Sequence, residues 1–486
     1  MQAELEAQKQ ENALLRHELE QLKKLIFGSK SERFVPVQAP EQLTLGFEGM
    51  PAAQQAEAAT EKISYTRQKR AHPGRTPLPE NLPCEDIIIE PQEDTSQMVL
   101  IGEEITETID YKPGVLIKRR YIRRKYARKN ADEGQSPVVI GELPNRPIPK
   151  AIAEGGLLAH LFVSKYIDHL PFYRQIEIFK RNHGWVIQQS TLNDWFSACC
   201  TLLEPLYERL IDQVMDTDYL QADESGIKVL EDEKKGKSHQ GYMWVYRNPL
   251  NGLVLFDYRK GRGANGPKER LEHFAGRLQC DGYKTYGSVV KKRTDIELIS
   301  CLAHIRRKFY DALTHHPQMA QQALAQIQEL YAFEREYKEK ELPAGQVAQR
   351  RKMEAGPVFE QLLAWVMHEQ ANNLSKGLIG SALLYAKNQL PRLKAYLEDG
   401  RIQIDNNLIE NAIRPLALGR KNYLFAGSHQ GAHRAAMMYS FFATCKTKSI
   451  NPYQWLKDVL ERIGDHPVNQ VEQLLPHLWM PHNLGV

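Results

Sequence analysis

The sequence predicts a multidomain α+β protein, and three observations support this prediction. The chain has 486 residues, which is enough for about three folded units. From residue 216 onward, three strand-like segments follow one another through hairpin-like turns, and later strands alternate with helices, a pattern typical of a mixed sheet. A helical stretch at about 315–400, rich in Gln, Ala, Glu and Lys, interrupts this unit. We therefore expect a mixed-sheet core with a helical insertion.

Composition sets broad limits on the kind of protein. Because 64 Lys and Arg oppose 60 Asp and Glu, the net charge is only +4, so a nucleic-acid surface would have to come from local clusters of basic residues. The six cysteines contain no Cys-x-x-Cys pair, which argues against a disulfide framework and favours a reducing compartment. The N-terminus has no apolar signal core, and no run is long enough for a membrane helix. We expect a cytoplasmic protein with no membrane partner.

Residues 1–34 show the a/d spacing of a coiled coil. Leucines at 5, 15, 19 and 22 share this seam with Asn12, and a buried Asn at an a position favours a dimer. The alternative is an amphipathic helix that packs on its own chain. Residues 35–78 are rich in Pro, Gln, Ala and Gly without any period, which predicts a flexible linker.

Residues 79–150 show a β pattern and contain a strongly basic segment. Eight of the twelve residues from Lys118 to Lys129 are basic, and two tyrosines are interleaved with them. Such a ribbon can neutralise successive DNA phosphates, whereas the alternative is a charged sheet edge that resists aggregation. The predicted phosphate contacts are Lys118, Arg119, Arg120, Arg123, Arg124 and Lys125.

Residues 151–210 are helical by their apolar period. A turn-like segment precedes Ser190, which we expect to be the N-cap of the following helix. That helix could be the recognition helix of a helix-turn-helix that binds DNA. The alternative is three helices that simply pack together.

Several tempting motifs do not predict a site. The glycines of Gly261-Arg-Gly-Ala-Asn-Gly266 resemble a dinucleotide loop, but they follow a hairpin strand, and Pro267 removes an N–H group from the helix start. Cys301 with His304, and His429 with His433, have metal-ligand spacings, yet nothing else in the sequence is spaced to complete either set. No nucleophile-elbow or Walker motif occurs, so the hydrolase and NTPase classes lack support.

Three carboxylates stand on elements that can converge. Asp223 lies in the first strand of the α/β unit, Asp281 directly follows the fourth, and Glu410 lies in a short helix that we expect to begin at an Asp405 cap and to stop near Pro415. Each also has an ordinary explanation as a surface acid, a turn residue or one partner of a helix ion pair.

A family resemblance covers nearly the whole chain. The segments FGSKSER, ADES, LQCDGYKTYG, CLAHIRRKF, IDNNLIENAIRPLALGRKNYLFAGS, GAHRAAMMYSFFATCKTKSINPYQWLKDVLERI and LLPHLW together resemble the transposases of the insertion-sequence 66 family. The resemblance implies a DDE transposase with an RNase H-like catalytic core at 211–445, a helical insertion at about 315–400 and a C-terminal element at 446–486. It also assigns Asp223, Asp281 and Glu410 as the catalytic, metal-binding acids.

The chemistry of that family explains the three acids. DNA cleavage and strand transfer are in-line displacements assisted by two Mg²⁺ ions, which prefer oxygen ligands and which Mn²⁺ can replace. Arg414, Arg420 and Lys421 follow Glu410 and are expected to grip the phosphates of the cut strand; the alternative is a basic surface loop.

The segment before the core departs from the family pattern. Relatives often carry paired cysteines of a zinc module at the places where this chain reads EDTSQM and RKNADE. We therefore expect residues 79–150 to form a degenerate zinc-ribbon-like β module without zinc.

The sequence as a whole predicts a transposase of a bacterial insertion sequence. Its expected partners are the terminal repeats of its element, target DNA, a second copy in a homodimer or higher oligomer, and small accessory proteins, with a location at the nucleoid. The alternatives are an RNase H-like nuclease or resolvase that does not join strands, and an inactive DNA-binding regulator. Retention of all three acids argues against the last of these.

Overall fold

The computed structural model describes residues 114–116, 125–127, 138–140, 146–230, 237–373 and 376–481. The predicted coiled-coil helix at 1–34, the linker at 35–78 and most of the β module at 79–150 lie outside the described residues. Among the predicted phosphate contacts of the basic segment, only the backbone of Lys125 is described.

Two short strands of the β module are described. Strands β1 (Lys125–Ala127) and β2 (Val138–Ile140) pair antiparallel, with Lys125 opposite Ile140. Their pairing agrees with the β pattern of this part of the sequence.

Three helices lead into the main sheet. They are α1 (Gly155–Tyr166), α2 (Phe172–His183) and α3 (Gln189–Met215). Gly184 ends α2 in the left-handed conformation (φ 64°), which glycine adopts at little cost. The expected N-cap at Ser190 is wrong: Gln188 is the N-cap, because the buried Ile187 holds the chain extended only up to that point.

Helix α3 is longer than a typical recognition helix and reaches the main sheet. It buries Leu206, Leu210 and Val214 in its C-terminal half, and the Tyr207 hydroxyl donates a hydrogen bond to the Phe256 carbonyl (2.5 Å). The helix-turn-helix therefore stays a prediction for α2 and the N-terminal half of α3.

The main sheet is mixed, as the sequence predicts. Its strands are β3 (Tyr219–Leu230), β4 (Ser238–Arg247), β5 (Val254–Arg259), β6 (Gly276–Gln279) and β7 (Ile296–Ile299), in the order β5-β4-β3-β6-β7. The hairpin strands β3, β4 and β5 pair antiparallel. Strands β6 and β7 continue the sheet in parallel with β3. This order places β3 at the centre.

One helix follows each of the strands β5, β6 and β7. They are α4 (Asn265–Arg270), α5 (Lys284–Val290) and α6 (Leu302–Ala312). Strand β6 begins at Gly276 (φ 133°), where a Cβ atom would collide with the carbonyl of Asp218. Glycine is therefore required for β6 to approach the start of β3.

The helical insertion shares a hydrophobic core with the sheet. It consists of α7 (Pro317–Glu339), α8 (Ala344–Arg350) with a π-helical continuation (Arg351–Ala355), α9 (Gly356–Asn372), α10 (Leu378–Leu393) and a 3₁₀ turn (Lys394–Leu397). Its buried residues Leu324, Phe359 and Leu390 join Tyr219 of β3 and Ile299 of β7 in one cluster. The insertion is therefore part of the core and cannot be removed without exposing it.

The chain ends in three further helices and a turn. They are α11 (Asn407–Tyr423), α12 (His429–Thr447), α13 (Pro452–Arg462) and a 3₁₀ turn (Val468–Leu474). The expectation that the helix of Glu410 stops near Pro415 is wrong. Proline removes one backbone hydrogen bond, but Ile413 and Leu416 are buried on either side of it and keep α11 in place. Within the described residues, no helix is long and apolar enough to cross a membrane.

A buried arginine connects the insertion to the segment before α11. The side chain of Arg351, 2% exposed, pairs with Glu334 (2.6 Å). Its Nη1 atom also donates to the carbonyl oxygens of Tyr396 (2.8 Å), Asp399 (3.0 Å) and Ile402 (3.0 Å). This one guanidinium therefore fixes the turn that leads toward Glu410.

We expect Arg351→Met to lower the free energy of unfolding by about 3 kcal/mol, because it leaves the partly buried Glu334 carboxylate without its ion-pair partner and removes the guanidinium donor from three carbonyls. Urea unfolding measures the change. The neighbouring exposed Lys352→Met is the matched control and should change stability by less than about 0.5 kcal/mol. A loss below about 1 kcal/mol in Arg351→Met would mean that the network is dispensable.

Candidate active site

The strand register brings Asp223 and Asp281 together. Gln221 of β3 is the partner of Gln279 of β6, and these strands run parallel. Asp223 lies two residues beyond Gln221, and Asp281 lies two residues beyond Gln279, so the two aspartates are at the same level along the parallel strands. Side chains two residues apart on a strand point to the same face. The two carboxylates are therefore neighbours at the carboxyl end of β6.

A buried polar network below the aspartates holds the two strands in this register. The Nε2 atom of Gln221 donates to Oε1 of Gln279 (3.0 Å), and the Tyr219 hydroxyl donates to the same oxygen (2.6 Å). The Nε2 atom of Gln279 donates to the carbonyl of Gln403 (2.8 Å). The network therefore joins both strands to the segment that precedes α11.

Glu410 reaches the site because the segment that precedes α11 is hydrogen-bonded to β3. Asn406 is the N-cap residue of α11, and its Nδ2 atom donates to the carbonyl of Ala222 (3.2 Å), next to Asp223. Gln221 also donates to the carbonyl of Asp405 (3.3 Å). The first turn of α11, which contains Glu410, is thereby anchored beside the aspartates.

The electrostatics of Asp223 reflect this crowding. Burial, followed by the negative charges of Asp281, Glu224 and Glu410, raises its pKa to about 8, although the N–H group of Glu224 (2.8 Å) opposes the shift. Within the described residues, no lysine or arginine forms an ion pair with Asp223, Asp281 or Glu410. Among the described side chains, the nearest basic group is His304, whose Nε2 atom lies 3.8 Å from Oε1 of Glu410.

Asp281 is held by its own turn and by the insertion. Its Oδ1 atom accepts a hydrogen bond from the N–H group of Tyr283 (2.8 Å), and its carbonyl accepts one from the Tyr385 hydroxyl of α10. Gly282 has φ 83° and lies against the side chain of Gln389, so only glycine fits there without strain.

Glu224 and Asp405, the nearest other acids, have structural partners. The side chain of Glu224 is 3% exposed and pairs with Arg262 (2.5 Å) on the face opposite Asp223. The expected cap at Asp405 is wrong, because Asn406 occupies that position. Asp405 instead accepts hydrogen bonds from the N–H group of Asn407 (3.0 Å) and from the Tyr331 hydroxyl of α7 (2.9 Å).

The basic residues after Glu410 lie in different environments. Arg414 and Lys421 are exposed. Arg420 donates to Ser225 Oγ (3.0 Å) and to the Gly226 carbonyl (2.6 Å), which anchors α11 on β3. Arg420 thus has a structural contact that its position in the sequence does not indicate.

Sequence reasoning did not single out Arg262. Its guanidinium lies over the ring of Tyr283 at 4.0 Å, close to Asp281 in sequence, and its ion pair with Glu224 ties the glycine-rich loop to β3. Arg262 lies within the Gly261–Gly266 motif, so this motif was the sequence feature that could have pointed to it. The loop supplies the arginine that pairs with Glu224.

A second group of metal-ligand types lies on the other side of Glu410. Ligand atoms of Cys301, His304 and Glu410 lie within 4.8 Å of one another. The expectation that nothing completes the Cys301–His304 pair is therefore wrong, because the fold supplies a third residue from far along the chain. Burial raises the pKa of the Cys301 thiol to about 12, so a zinc ion would have to displace the thiol proton in order to bind there.

We expect less than about 0.1 zinc per chain in the purified protein, because residues 79–150 contain one cysteine and no histidine, and Cys301, His304 and Glu410 offer one ligand fewer than a closed zinc site needs. Elemental analysis measures the content. Cys301→Ser distinguishes zinc in the β module from zinc at the Cys301, His304 and Glu410 group. Zinc that is absent from this variant was bound at the Cys301 group. About one zinc per chain that persists in Cys301→Ser would contradict the metal-free module.

Comparisons with known proteins agree with the resemblance seen in the sequence. Residues 150–434 match the model described as Transposase IS66 family, and residues 440–477 match the IS66 C-terminal element. Residues 14–87, which span most of the predicted coiled-coil helix, the predicted linker and the start of the predicted β module, match the model described as Transposase C of IS166 homeodomain.

Two relatives from Sinorhizobium fredii align over nearly the full chain. The uncharacterized protein y4jD is 31% identical over 97% of this chain and 95% of its own length. The uncharacterized protein y4qI is 31% identical over 96% of this chain and 89% of its own length. With the family match spanning more than half of the residues, the chain belongs to the IS66 transposase family.

Proposed function

We propose that this chain is a DDE transposase that cuts DNA at the ends of its element and joins the ends to target DNA. The observation that supports this most is the convergence of Asp223, Asp281 and Glu410, three carboxylates from distant parts of the chain, beside the central strand. The mixed order β5-β4-β3-β6-β7 supports an RNase H-like core around them.

The donor set fits divalent cations that prefer oxygen. Asp223 is buried among other carboxylates with a raised pKa, so a bound cation would relieve their mutual repulsion. Asp223, Asp281 and Glu410 would hold Mg²⁺, or Mn²⁺ in its place. When bound, these ions activate the attacking oxygen and stabilise the leaving oxygen of a phosphodiester displacement.

The other residues of the site position these acids and the DNA. The network of Gln221, Gln279 and Asn406 fixes the carboxylates relative to one another. Arg414 and Lys421 are exposed beyond Glu410 and would contact phosphates of the cut strand. The basic segment 118–129 would add sequence-independent phosphate contacts, and a homodimer or higher oligomer would bring two element ends together.

A strand-transfer assay tests the proposal. The full chain is incubated with labelled DNA that carries the element's ends, a target plasmid and Mg²⁺. We expect joined products, because the same site can activate water for cleavage and the freed 3′ hydroxyl for joining. Cleavage without joining would instead favour the nuclease or resolvase, and DNA binding without either reaction would favour an inactive regulator.

A further inference from the structure

A cavity of about 300 Å³ lies beside the proposed active site and has no part in the mechanism above. Helices α1 and α3 form one wall, and the end of α11, residues 425–428 and the start of α12 form the other. Ile227 of β3 lies at its base, four residues from Asp223 on the same face of the strand. At about 3.3 Å per residue, the cavity is roughly 13 Å from that carboxylate.

Two cationic side chains line the cavity without an anionic partner. They are Lys165 of α1 and Arg434 of α12. Within the described residues, neither forms an ion pair or a side-chain hydrogen bond with the protein. The Nζ atom of Lys165 lies 3.8 Å from the ring centroid of Phe172, and burial lowers the pKa of this lysine to about 8. Burying a charge that has no partner is costly, so the arrangement suits an anionic ligand.

The end of α12 adds to the positive potential. Helix α12 has 19 residues and Ser428 as its N-cap, and the Ser428 hydroxyl accepts a hydrogen bond from the N–H group of Gly431 (3.0 Å). Both residues line the cavity, so the N-terminal end of the helix dipole faces it. Lys165, Arg434 and this helix start together favour a phosphate group.

Aromatic side chains form the remaining walls. Tyr166, Phe196, Tyr423 and Phe425 line the cavity, and Phe425 is 43% exposed. Aromatic surfaces beside cations are the usual platform for the bases of an unpaired strand. The cavity is too small for a duplex, so only an unpaired nucleotide can enter.

From these contacts we infer that the cavity binds one unpaired nucleotide of the DNA strand next to the cut site. Lys165 and Arg434 hold its phosphate, and its base lies among Phe196, Tyr423 and Phe425. The inference rests on the proposed function, because it takes the ligand to be the transposase's own DNA.

The experiment compares two DNA probes bound to the full chain in EDTA, so that no reaction is needed. One is a blunt duplex, and the other carries a three-nucleotide single-stranded tail with 2-aminopurine, whose fluorescence falls on stacking. We expect the tailed probe to bind about tenfold more tightly, with quenched fluorescence. Arg434→Gln and Lys165→Met should remove the preference and the quenching while the blunt probe binds as before.

Gly427→Leu blocks the cavity without disturbing the fold. A Cβ atom at Gly427, which lines the cavity, has no other atom within 4 Å, so the new side chain has room. This variant should behave like Arg434→Gln. Arg335→Gln and Lys352→Met, both on exposed surfaces of the insertion, are the matched controls and should keep the preference.

Three results would overturn the inference. They are equal binding of the two probes by the unaltered protein, a preference that survives in Gly427→Leu, and binding of free dAMP as tightly as the tailed probe, which would indicate a free nucleotide as the ligand. The preference should persist in Asp223→Asn. The catalytic proposal is tested by a different measurement. It fails if strand transfer survives when Asp223, Asp281 and Glu410 are replaced.

Discussion

Asp223→Asn, Asp281→Asn and Glu410→Gln should each reduce DNA cleavage and joining by about a thousandfold or more, while binding to the element's ends survives. Each amide has nearly the shape of the acid that it replaces, but it lacks the charge that holds a divalent cation against water. The three side chains come from β3, from the end of β6 and from α11. Equal losses at all three would therefore indicate one shared site.

The measurement is strand transfer in Mg²⁺ beside a DNA-binding assay on the same preparations. Asp405→Asn is the matched control, because Asp405 lies near Glu410 but bonds to Asn407 and Tyr331. It should keep substantial strand transfer. Complete loss in Asp405→Asn with fold and DNA binding intact, or full activity in Glu410→Gln, would mean that the third acid has been misassigned.

The order of strands and helices in the core could be predicted from local sequence patterns. Short runs rich in apolar and aromatic residues identify β3, β4 and β5, and the turns between them indicate antiparallel pairing. The position of Asp281 after a strand was readable for the same reason. Such local patterns predict where each strand begins and ends, and short turns between strands predict which strands are neighbours in the sheet.

The contacts between distant segments could not be predicted. Glu410 is near Cys301 and His304 only because the insertion folds back over β7 and α6, and no spacing rule spans that distance. Arg420 looks like a phosphate ligand in the sequence, yet Ser225 and Gly226 occupy its donors. Helix α11 likewise continues past Pro415 because its burial outweighs one lost hydrogen bond.

The stability of the metal-free protein should fall as the pH rises, because of Asp223. The pKa of Asp223 is about 8 in the folded chain, against 3.8 as its ordinary value. A raised folded pKa means that the folded state binds the proton more tightly, so this group's contribution is fully present below about pH 4 and is lost as the pH rises through about 8. The loss is of the order of 5 kcal/mol for a shift of this size.

Asp223→Asn removes the ionisable group and should therefore make the metal-free protein more stable than the unaltered chain at pH 8.5, with a much smaller difference at pH 5. Urea unfolding in EDTA at the two pH values measures this. Magnesium should then stabilise the unaltered chain at pH 8.5, by about 2.7 kcal/mol at a hundredfold excess over its dissociation constant, and should stabilise Asp223→Asn much less. Asp212→Asn, an exposed acid on α3, is the control and should follow the unaltered chain. Two results would contradict this prediction: Asp223→Asn shows the same pH dependence of stability as the unaltered chain, or Mg²⁺ stabilises both proteins equally. Either result would mean that ionisation of the Asp223 carboxyl does not destabilise the metal-free site.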